Sequence, residues 1–580
     1  MKNARGKIIY QGLLSFFIFF ALAIYITYPL IFHMGEWRTA QGDELVIAWI
    51  QNWAIHGLTS ENIFSLFDAN LYYPFHNSFA YSDIFITSSF FSLIPLLLVK
   101  QPIIVINFTL ISALIFLGFS IYVLCFYLTK SFGASLLGGL LVVCSPAMLD
   151  KIGKLQILAI AWVPFSMLFF LIWIKKQKTR YLAVSLVCFV LQTYNSFVPG
   201  YFIVFSYVII LAYFFILNKK QIMALITWKN VFLFLVSFVL LIPIAIPYFQ
   251  VSSEFHYVRD IRETIHFALQ PEDLLYPGNT TRLHDMVLRI PFITQKSSIG
   301  EVKPGYLGCI FTVLAVFALW FRAKYFKKNN VYLNLFCIIA LIGLVLSFGP
   351  ALHINRHTIH WPFLIPLPYG ILYYLVPGFR GIRDSERWEM LFILCIAIAI
   401  SLVMQQVLKR VSLSKRIIIY LLLFLGIIGE FNFPMHLEKV PQVNQFPKVY
   451  AWLATTPKDT KIIIMPIYNW NKFQYTGQEM WREYYSTIEF RKMVNGYSGF
   501  SPPPWQTLVE DQYKNFPENN TIATLKNLGI NYIIVDKDAY NLLYKDKQKN
   551  STGEEIIAIL RKNTAVKFFR KFGEDYVFRF

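Results

Sequence analysis

Blocks of consecutive apolar residues recur along the chain, and their length constrains its fold more than any other feature. An α-helix needs roughly 20 apolar residues to cross the hydrocarbon core of a bilayer. Of the 580 residues, 56% are hydrophobic and 15% are charged, whereas soluble domains carry roughly a quarter charged residues. The sequence therefore predicts an α-helical polytopic membrane protein. About eleven transmembrane helices are predicted, at residues 8–33, 102–128, 133–149, 157–174, 181–197, 199–217, 230–249, 305–321, 331–350, 388–408 and 417–433.

The net charge of +20 is concentrated beside these apolar blocks. Nineteen basic residues and no acidic ones occupy short stretches around residues 2–7, 130, 175–180, 219–229, 322–328 and 409–416. Cytoplasmic loops of membrane proteins carry this excess of Lys and Arg. With an odd number of crossings, the charges predict a bacterial inner-membrane protein with a cytoplasmic N-terminus and an external C-terminal domain. We expect membrane lipids as partners and no nucleic acid, which is not needed to explain the charge.

Three connections on the predicted outer side are long, at residues 34–101, 251–304 and 353–387. They belong to a predicted transmembrane module that comprises residues 1–433. Within the first connection, Ile84–Val99 is apolar but short for a crossing, which predicts a re-entrant helix or a helix lying on the membrane.

The tail, residues 434–580, differs in composition from the membrane module. Lys461–Pro466 and Tyr532–Val535 are short apolar runs that predict buried strands, and Pro447–Leu453 and Thr521–Leu528 predict helices beside them. The tail is therefore predicted to form a small α/β extracytoplasmic domain.

Two adjacent carboxylates, Asp43 and Glu44, follow the first apolar block. Like charges this close raise one pKa, which suits a general base that works near neutral pH. A structural alternative is equally open, because acids are favourable at the N-terminus of a helix. Trp49, Trp53 and His56 then recur on one face of a helix, a pattern that predicts an interfacial helix with its aromatic face in the lipid headgroups.

The acidic pair after a first span resembles the GT-C superfamily of membrane glycosyltransferases. The pair is similar to that of the protein O-mannosyltransferase and aminoarabinose transferase branches. The local sequence is more similar to that of a set of uncharacterised bacterial GT-C-like proteins, which have Gly-Asp, a Trp-rich helix and an Asn-x-Tyr/Phe-Tyr-Pro segment. Here these correspond to Gly42-Asp43, the helix with Trp49 and Trp53, and Asn70–Pro74. The downstream basic motif of the aminoarabinose branch has no match in this chain.

The resemblance implies that a sugar moves from a polyprenyl-phosphate donor to a glycan, lipid or protein acceptor in the outer leaflet, as part of cell-envelope synthesis. Asp43 would act as the base, and Glu44 would orient the acceptor or hold a cation. A divalent cation is a possible cofactor, although no Cys or His cluster indicates a metal site.

Arginines suit a leaving phosphate because their planar fork matches its oxygens. Arg380, Arg383 and Arg387 precede a predicted span at its outer end, and with His56 and Asp83 they are the candidate contacts for donor or lipid phosphate. The alternative is that the arginines pair with Asp384 and Glu386 or with ordinary phospholipids.

Two other classes of function compete with a glycosyltransferase. A lipid-linked saccharide flippase, a polymerase or another transporter would also meet polyprenyl-phosphate sugars. Ion-coupled transporters usually keep ionisable residues near the middle of the membrane, and the predicted spans contain none away from their ends. A non-catalytic membrane scaffold is the third possibility, and it would tolerate the loss of Asp43.

Overall fold

The computed structural model of the chain describes residues 2–39, 42–60, 65–276, 305–324, 330–354, 357–359, 365–430, 435–468 and 473–580. Much of the predicted external connection 251–304 lies outside the described residues, from residue 277 onward.

Helices dominate the described residues. The α-helices up to residue 266 are α1 (Lys2–Thr27), α2 (Glu44–Thr59), α3 (Ile86–Val99), α4 (Ile104–Thr129), α5 (Phe132–Val143), α6 (Pro146–Leu149), α7 (Leu155–Leu158), α8 (Trp162–Lys176), α9 (Thr179–Thr193), α10 (Phe197–Leu217), α11 (Lys219–Met223), α12 (Trp228–Phe255) and α13 (Ile261–His266). Those after residue 304 are α14 (Cys309–Lys324), α15 (Val331–Ser347), α16 (Pro368–Leu375), α17 (Glu389–Leu408), α18 (Leu413–Glu430), α19 (Lys448–Leu453), α20 (Phe473–Ser486), α21 (Pro503–Asn515), α22 (Asn519–Asn527), α23 (Lys537–Lys545) and α24 (Gly553–Lys562).

Each predicted span overlaps at least one of these helices. Six helical segments among the described residues are long and apolar enough to cross a membrane: Gly6–Thr27, Ile104–Thr129, Leu155–Lys176, Phe197–Leu217, Trp228–Phe255 and Ser385–Leu408. The chain is therefore a multi-pass helical membrane protein, and the total of eleven crossings stays a prediction. The apolar run in the first connection forms α3, which at 14 residues is too short to cross as an untilted helix.

The chain divides into two compact units. The first comprises residues 1–32, 109–243 and 257–436, and the second comprises 33–108, 244–256 and 437–580. The tail thus belongs to one unit with the first long connection, and the domain boundary at 433/434 stays a prediction.

Close packing in the first unit depends on glycines that face an aromatic ring. The ring of Phe19 in α1 lies where side chains at Gly118 in α4 and Gly139 in α5 would point, and a Cβ at either glycine would come within 2.4 Å of that ring. Small residues let membrane helices approach closely in this way. The same unit packs α17 against α5 and α15, and α8 against α9.

The second unit contains a five-stranded mixed sheet. The strands of the chain are β1 (Trp37–Arg38), β2 (His353–Ile354), β3 (His357–Thr358), β4 (Glu438–Lys439), β5 (Lys461–Met465), β6 (Lys492–Met493), β7 (Tyr532–Asp536), β8 (Lys567–Phe572) and β9 (Asp575–Arg579). The order in the sheet is β6-β5-β7-β9-β8. β5 is parallel to β6 and β7, and β9 is antiparallel to β7 and β8.

Both strands that the sequence predicts in the tail are central strands of this sheet. Residues 462–465 of β5 and 533–535 of β7 are buried, as expected for parallel strands covered on both faces. The predicted helices beside them correspond to α19 and α22.

A buried acid in this unit makes its stability depend on pH. The carboxylate of Glu489 accepts the backbone N–H of Arg491, and the Arg491 guanidinium donates to the carbonyls of Glu489, Ala454 and Thr456. Burial raises the pKa of Glu489 to about 8, although Arg491 opposes the shift.

We predict that Glu489→Gln flattens part of the pH dependence of unfolding. A raised pKa in the folded state stabilises the fold below the ordinary value near 4.5, and this stability is lost as pH rises through about 8. Thermal unfolding of the purified protein in detergent should show the wild type losing stability over this range more steeply than the variant. The exposed Glu510→Gln is the control and should follow the wild type; identical profiles for all three proteins would contradict the prediction.

Candidate functional site

The acidic pair lies at the start of α2, and its two carboxylates have different surroundings. Gly42 has a positive φ of 61°, which turns the chain into the helix. Asp43 is the N-cap residue and its side chain is exposed, whereas Glu44 is the first helical residue and is buried. Successive helical residues diverge by about 100°, so one carboxylate is accessible and the other faces the protein interior.

Glu44 is held by an arginine. β1 pairs with β4 in antiparallel register and places Arg38 opposite Glu438. The Arg38 guanidinium bonds Glu438 at 2.7 Å, lies 3.9 Å from the Glu44 carboxylate and stacks over the Trp481 ring. Because a buried charge is costly without a partner, Glu44 has a structural role in this ion-pair network.

The aromatic face of α2 packs against protein, which corrects the prediction of an interfacial helix. The Trp49 indole N–H donates to the side-chain oxygen of Asn70 at 3.0 Å, and the Trp53 indole N–H donates to the Leu66 carbonyl at 2.8 Å. Both tryptophans are buried. A row of tryptophans on one helix face cannot by itself distinguish a protein core from a headgroup layer.

His56 lies at the other end of α2 from Asp43. They are thirteen positions apart, about 20 Å along the helix axis. The His56 ring contacts the ring of Phe490 at 4.5 Å, and burial, together with the charge of Lys458, lowers its pKa. The structure therefore does not bring His56 to the acidic pair. Asp83, half-buried in the segment before α3, belongs to the same unit.

The Asn70–Pro74 segment pairs with the tail. The Met493 N–H donates to the Asn70 carbonyl at 2.7 Å, the Tyr72 N–H donates to the Asn495 carbonyl at 3.2 Å, and the Tyr73 N–H donates to the Met493 carbonyl at 2.9 Å. The Asn70 amide also bonds the Ser486 hydroxyl. These hydrogen bonds hold the Asn70–Pro74 segment beside the residues that follow α20.

A third carboxylate, Glu483 on α20, lies near Asp43, and the sequence analysis did not identify it. Glu483 is fully buried, and one of its oxygens accepts the backbone N–H of Tyr497. Its other oxygen and the hydroxyl of buried Tyr72 have no hydrogen-bond partner among the described residues. Burial raises the pKa of Glu483 well above its usual range, the Tyr497 N–H opposes this, and the charges of Glu479 and Asp43 raise it further. The Glu483 carboxyl therefore keeps its proton to higher pH than an exposed glutamate does.

One turn before Glu483, α20 carries an ion pair that fixes the surrounding loop. Glu479 bonds Arg482 at 2.8 Å and accepts from the Asn495 amide, and Arg482 also donates to the Pro466 carbonyl. In the sequence, Glu479 and Glu483 lie one turn apart on a helix rich in aromatic residues, a pattern that most often indicates a solvated face. Only the tertiary fold reveals that these acids are buried.

The three candidate arginines belong to the first unit. Arg380 and Arg383 are exposed, with their guanidinium groups over the rings of Tyr374 and Phe267 at 5.3 and 4.7 Å. Arg387 is half-buried beside Tyr369; burial raises the pKa of Tyr369, and the charge of Arg387 opposes this. Glu386, which the sequence analysis considered as their partner, instead pairs with Lys151.

Lys151 forms the centre of a buried ionic cluster that the sequence analysis missed. Its ammonium group lies 3.1 Å from both Asp150 and Glu386, and Lys154 lies 3.6 Å from Glu386. Burial alone would lower the pKa of Lys151, but the charges of Glu386, Asp150 and Glu389 raise it above its usual range. The cluster ties the chain after α6 to the start of α17.

Solved structures share the architecture of this chain. The arabinofuranosyltransferase AftD from Mycobacteria matches with a TM-score of 0.53 at 12% identity over 99% of this chain and 40% of its own. The Archaeoglobus fulgidus oligosaccharyltransferase, tethered with an acceptor peptide, matches with a TM-score of 0.50 at 11% identity over 92% of this chain and 70% of its own. This chain has the GT-C fold.

The GT-C fold was expected from the motifs around Asp43 and is confirmed. ArnT from Cupriavidus metallidurans also matches, over 99% of this chain and 98% of its own at 10% identity, with a TM-score of 0.37. No protein-family model and no curated protein sequence matches this chain. The chain spans 40% of the length of the arabinofuranosyltransferase, and a shared GT-C fold at such identity carries no activity with it.

No group of three or more His, Cys, Asp or Glu side chains in the described part of the GT-C chain is arranged to hold a metal ion. A divalent cation stays a hypothesis.

We predict that Lys151→Met destabilises the first unit by about 3 kcal/mol, because buried Glu386 would lose the ammonium group that lies 3.1 Å from it. The double variant Lys151→Met with Glu386→Gln should recover most of that loss. Unfolding in detergent is the measurement, with the exposed Lys178→Met as control. Equal destabilisation by the single and the double variant would contradict an ion-pair role.

Proposed function

We propose that this protein is a membrane glycosyltransferase that moves a sugar from a polyprenyl-phosphate donor to an acceptor hydroxyl. The observation that carries the proposal is an exposed Asp43 at the start of a buried helix in a GT-C fold. Localisation in a bacterial inner membrane, with this site outside, is part of the proposal and rests on the distribution of basic residues.

Asp43 acts as the general base in this proposal. Its carboxylate takes the proton of the acceptor hydroxyl while that oxygen attacks the anomeric carbon of the sugar. The bond between this carbon and the phosphate oxygen breaks, and the polyprenyl phosphate leaves with the electron pair. Base catalysis by a positioned carboxylate contributes typically 100-fold to 10,000-fold to a rate.

Glu44 and Glu483 support Asp43 without being bases themselves. Glu44 is engaged with Arg38 and anchors the start of α2. The raised pKa of Glu483 favours its neutral form, which adds no negative charge beside Asp43. Of these three acids, Asp43 is the exposed one.

Arg380 and Arg383 are the proposed contacts for the donor phosphate, because both are exposed and guanidinium groups match phosphate oxygens. Arg387 is a third candidate. The acceptor is a glycan, a lipid or a protein that presents a hydroxyl.

The positions of buried charges favour an enzyme over an ion-coupled transporter. Among the described residues of the first unit, the buried Asp, Glu, Lys and Arg side chains all lie outside the long apolar helices or at their first residues: Lys151, Asp273, Asp384, Glu386 and Glu389. Ion-coupled transporters place such groups near mid-membrane.

Asp43→Asn should reduce sugar transfer by roughly 100-fold or more, because the amide cannot accept the proton. The measurement is transfer of radiolabelled sugar from polyprenyl-phosphate donors in membranes that contain the variant. Asp459→Asn, an exposed substitution in the same unit, should transfer like the wild type. Full transfer by a stably inserted Asp43→Asn protein would remove the proposed base.

Glu483→Gln should retain most of the transfer at neutral pH, because the amide is neutral and has the shape of the neutral carboxyl that the raised pKa favours. As pH rises through the raised pKa of Glu483, the wild type gains a negative charge beside Asp43 and its rate should change, whereas the variant cannot gain this charge and should show a flatter pH profile. Rates measured across a pH series test this. A variant inactive at every pH, with normal thermal stability, would show that the Glu483 charge is required.

A further inference from the structure

A cavity of about 550 Å³ lies in the first unit, between the termini of four helices. α4 and α17 end at its rim, and α5 and α18 begin there. Its volume is within the range of ligand-binding pockets, roughly 300–1,000 Å³. Its lining comes from these helix ends and from the turn between α4 and α5.

Its polar lining is positively charged. Lys130, Lys409 and Arg416 line it, and none of the lining residues is acidic. The Arg416 guanidinium is positioned by hydrogen bonds to the carbonyls of Lys409 at 3.2 Å and Val411 at 2.9 Å. The Lys130 ammonium lies 4.8 Å from the centre of the Tyr127 ring.

Two further features favour an anion at the rim. Burial lowers the pKa of Lys130, and the charges of Lys175 and Lys176 lower it further, so additional cations lie nearby. The N-termini of α5 and α18 both open onto the cavity, and helix N-termini attract negative charge.

The remaining wall is apolar. Leu136 and Leu408 are buried, whereas Ile417 and Leu421 are exposed along α18. Gly133 lets the Tyr420 ring lie against α5, since a Cβ there would come within 2.6 Å of that ring. A cationic rim beside an apolar wall is complementary to a molecule with an anionic head and a hydrocarbon tail.

We propose that this cavity binds an anionic phospholipid, with the phosphate at Lys130, Lys409 and Arg416 and an acyl chain along α18. The rim belongs to the predicted cytoplasmic side, where anionic lipids are recognised by basic pockets between helices. α17 runs 20 residues from Glu389 to this rim, about 30 Å, so the cavity is separate from the arginines that precede α17. The proposal does not depend on the proposed transfer activity.

Native mass spectrometry of the full chain tests the proposal. The protein is extracted from nanodiscs of phosphatidylglycerol and phosphatidylcholine in equal amounts, and retained lipids are counted. The wild type should retain phosphatidylglycerol preferentially. The triple variant Lys130→Gln, Lys409→Gln, Arg416→Gln should lower this retention at least about tenfold, while the control Lys178→Gln, Lys220→Gln, Lys229→Gln should not.

Ile417→Trp tests the tail position separately, since it keeps every charge and narrows the apolar wall. It should also reduce phosphatidylglycerol retention, with unfolding temperatures confirming that each variant is folded. Equal retention of both lipids, or unchanged retention in the triple variant, overturns the proposal. When undecaprenyl phosphate is added to the nanodiscs, its retention in place of phosphatidylglycerol by the wild type but not by the triple variant also overturns the proposal.

Discussion

The cost of placing a charge in hydrocarbon determines where this chain keeps its reactive groups. An ionised side chain at the centre of a bilayer costs several kcal/mol, so such groups collect at helix ends. Glu430, at the end of α18, follows this rule: it accepts hydrogen bonds from the Tyr306 hydroxyl and from the first backbone N–H groups of α14. The Lys151–Glu386 pair occupies another helix end. These charged groups of the first unit therefore lie at helix ends, where a charge costs less than at mid-membrane.

The parts of the fold that depend on local composition could be predicted. Apolar length locates the long helices, and apolar runs between turns locate β5 and β7. The grouping of the tail with the first long connection could not, because it depends on backbone bonds such as Tyr73 to Met493, between residues 420 positions apart. No local pattern encodes which segments meet at such separations.

The candidate site also combines features that the local sequence predicts with features that depend on tertiary contacts. An acidic pair at a helix start is visible in the sequence, and so is the divergence of its two carboxylates. The direction of the tryptophan face was predicted wrongly, because Trp49 and Trp53 find Asn70 and the Leu66 carbonyl instead of headgroups. Glu483 could not be identified, since its burial arises only when α20 packs against α2. Burial, not residue type, gives this carboxylate its raised pKa.

Three carboxylates lie near one helix start, and each has different surroundings. Arg38 lies 3.9 Å from the Glu44 carboxylate and compensates its charge, while burial outweighs the N–H bond from Tyr497 and raises the pKa of Glu483. Asp43 is exposed to solvent. Removing Arg38 would take away the cation that lies 3.9 Å from the buried Glu44 carboxylate and would raise the cost of its burial. Arg38 thus stabilises the start of α2 and, through its bond to Glu438, joins the first connection to the tail.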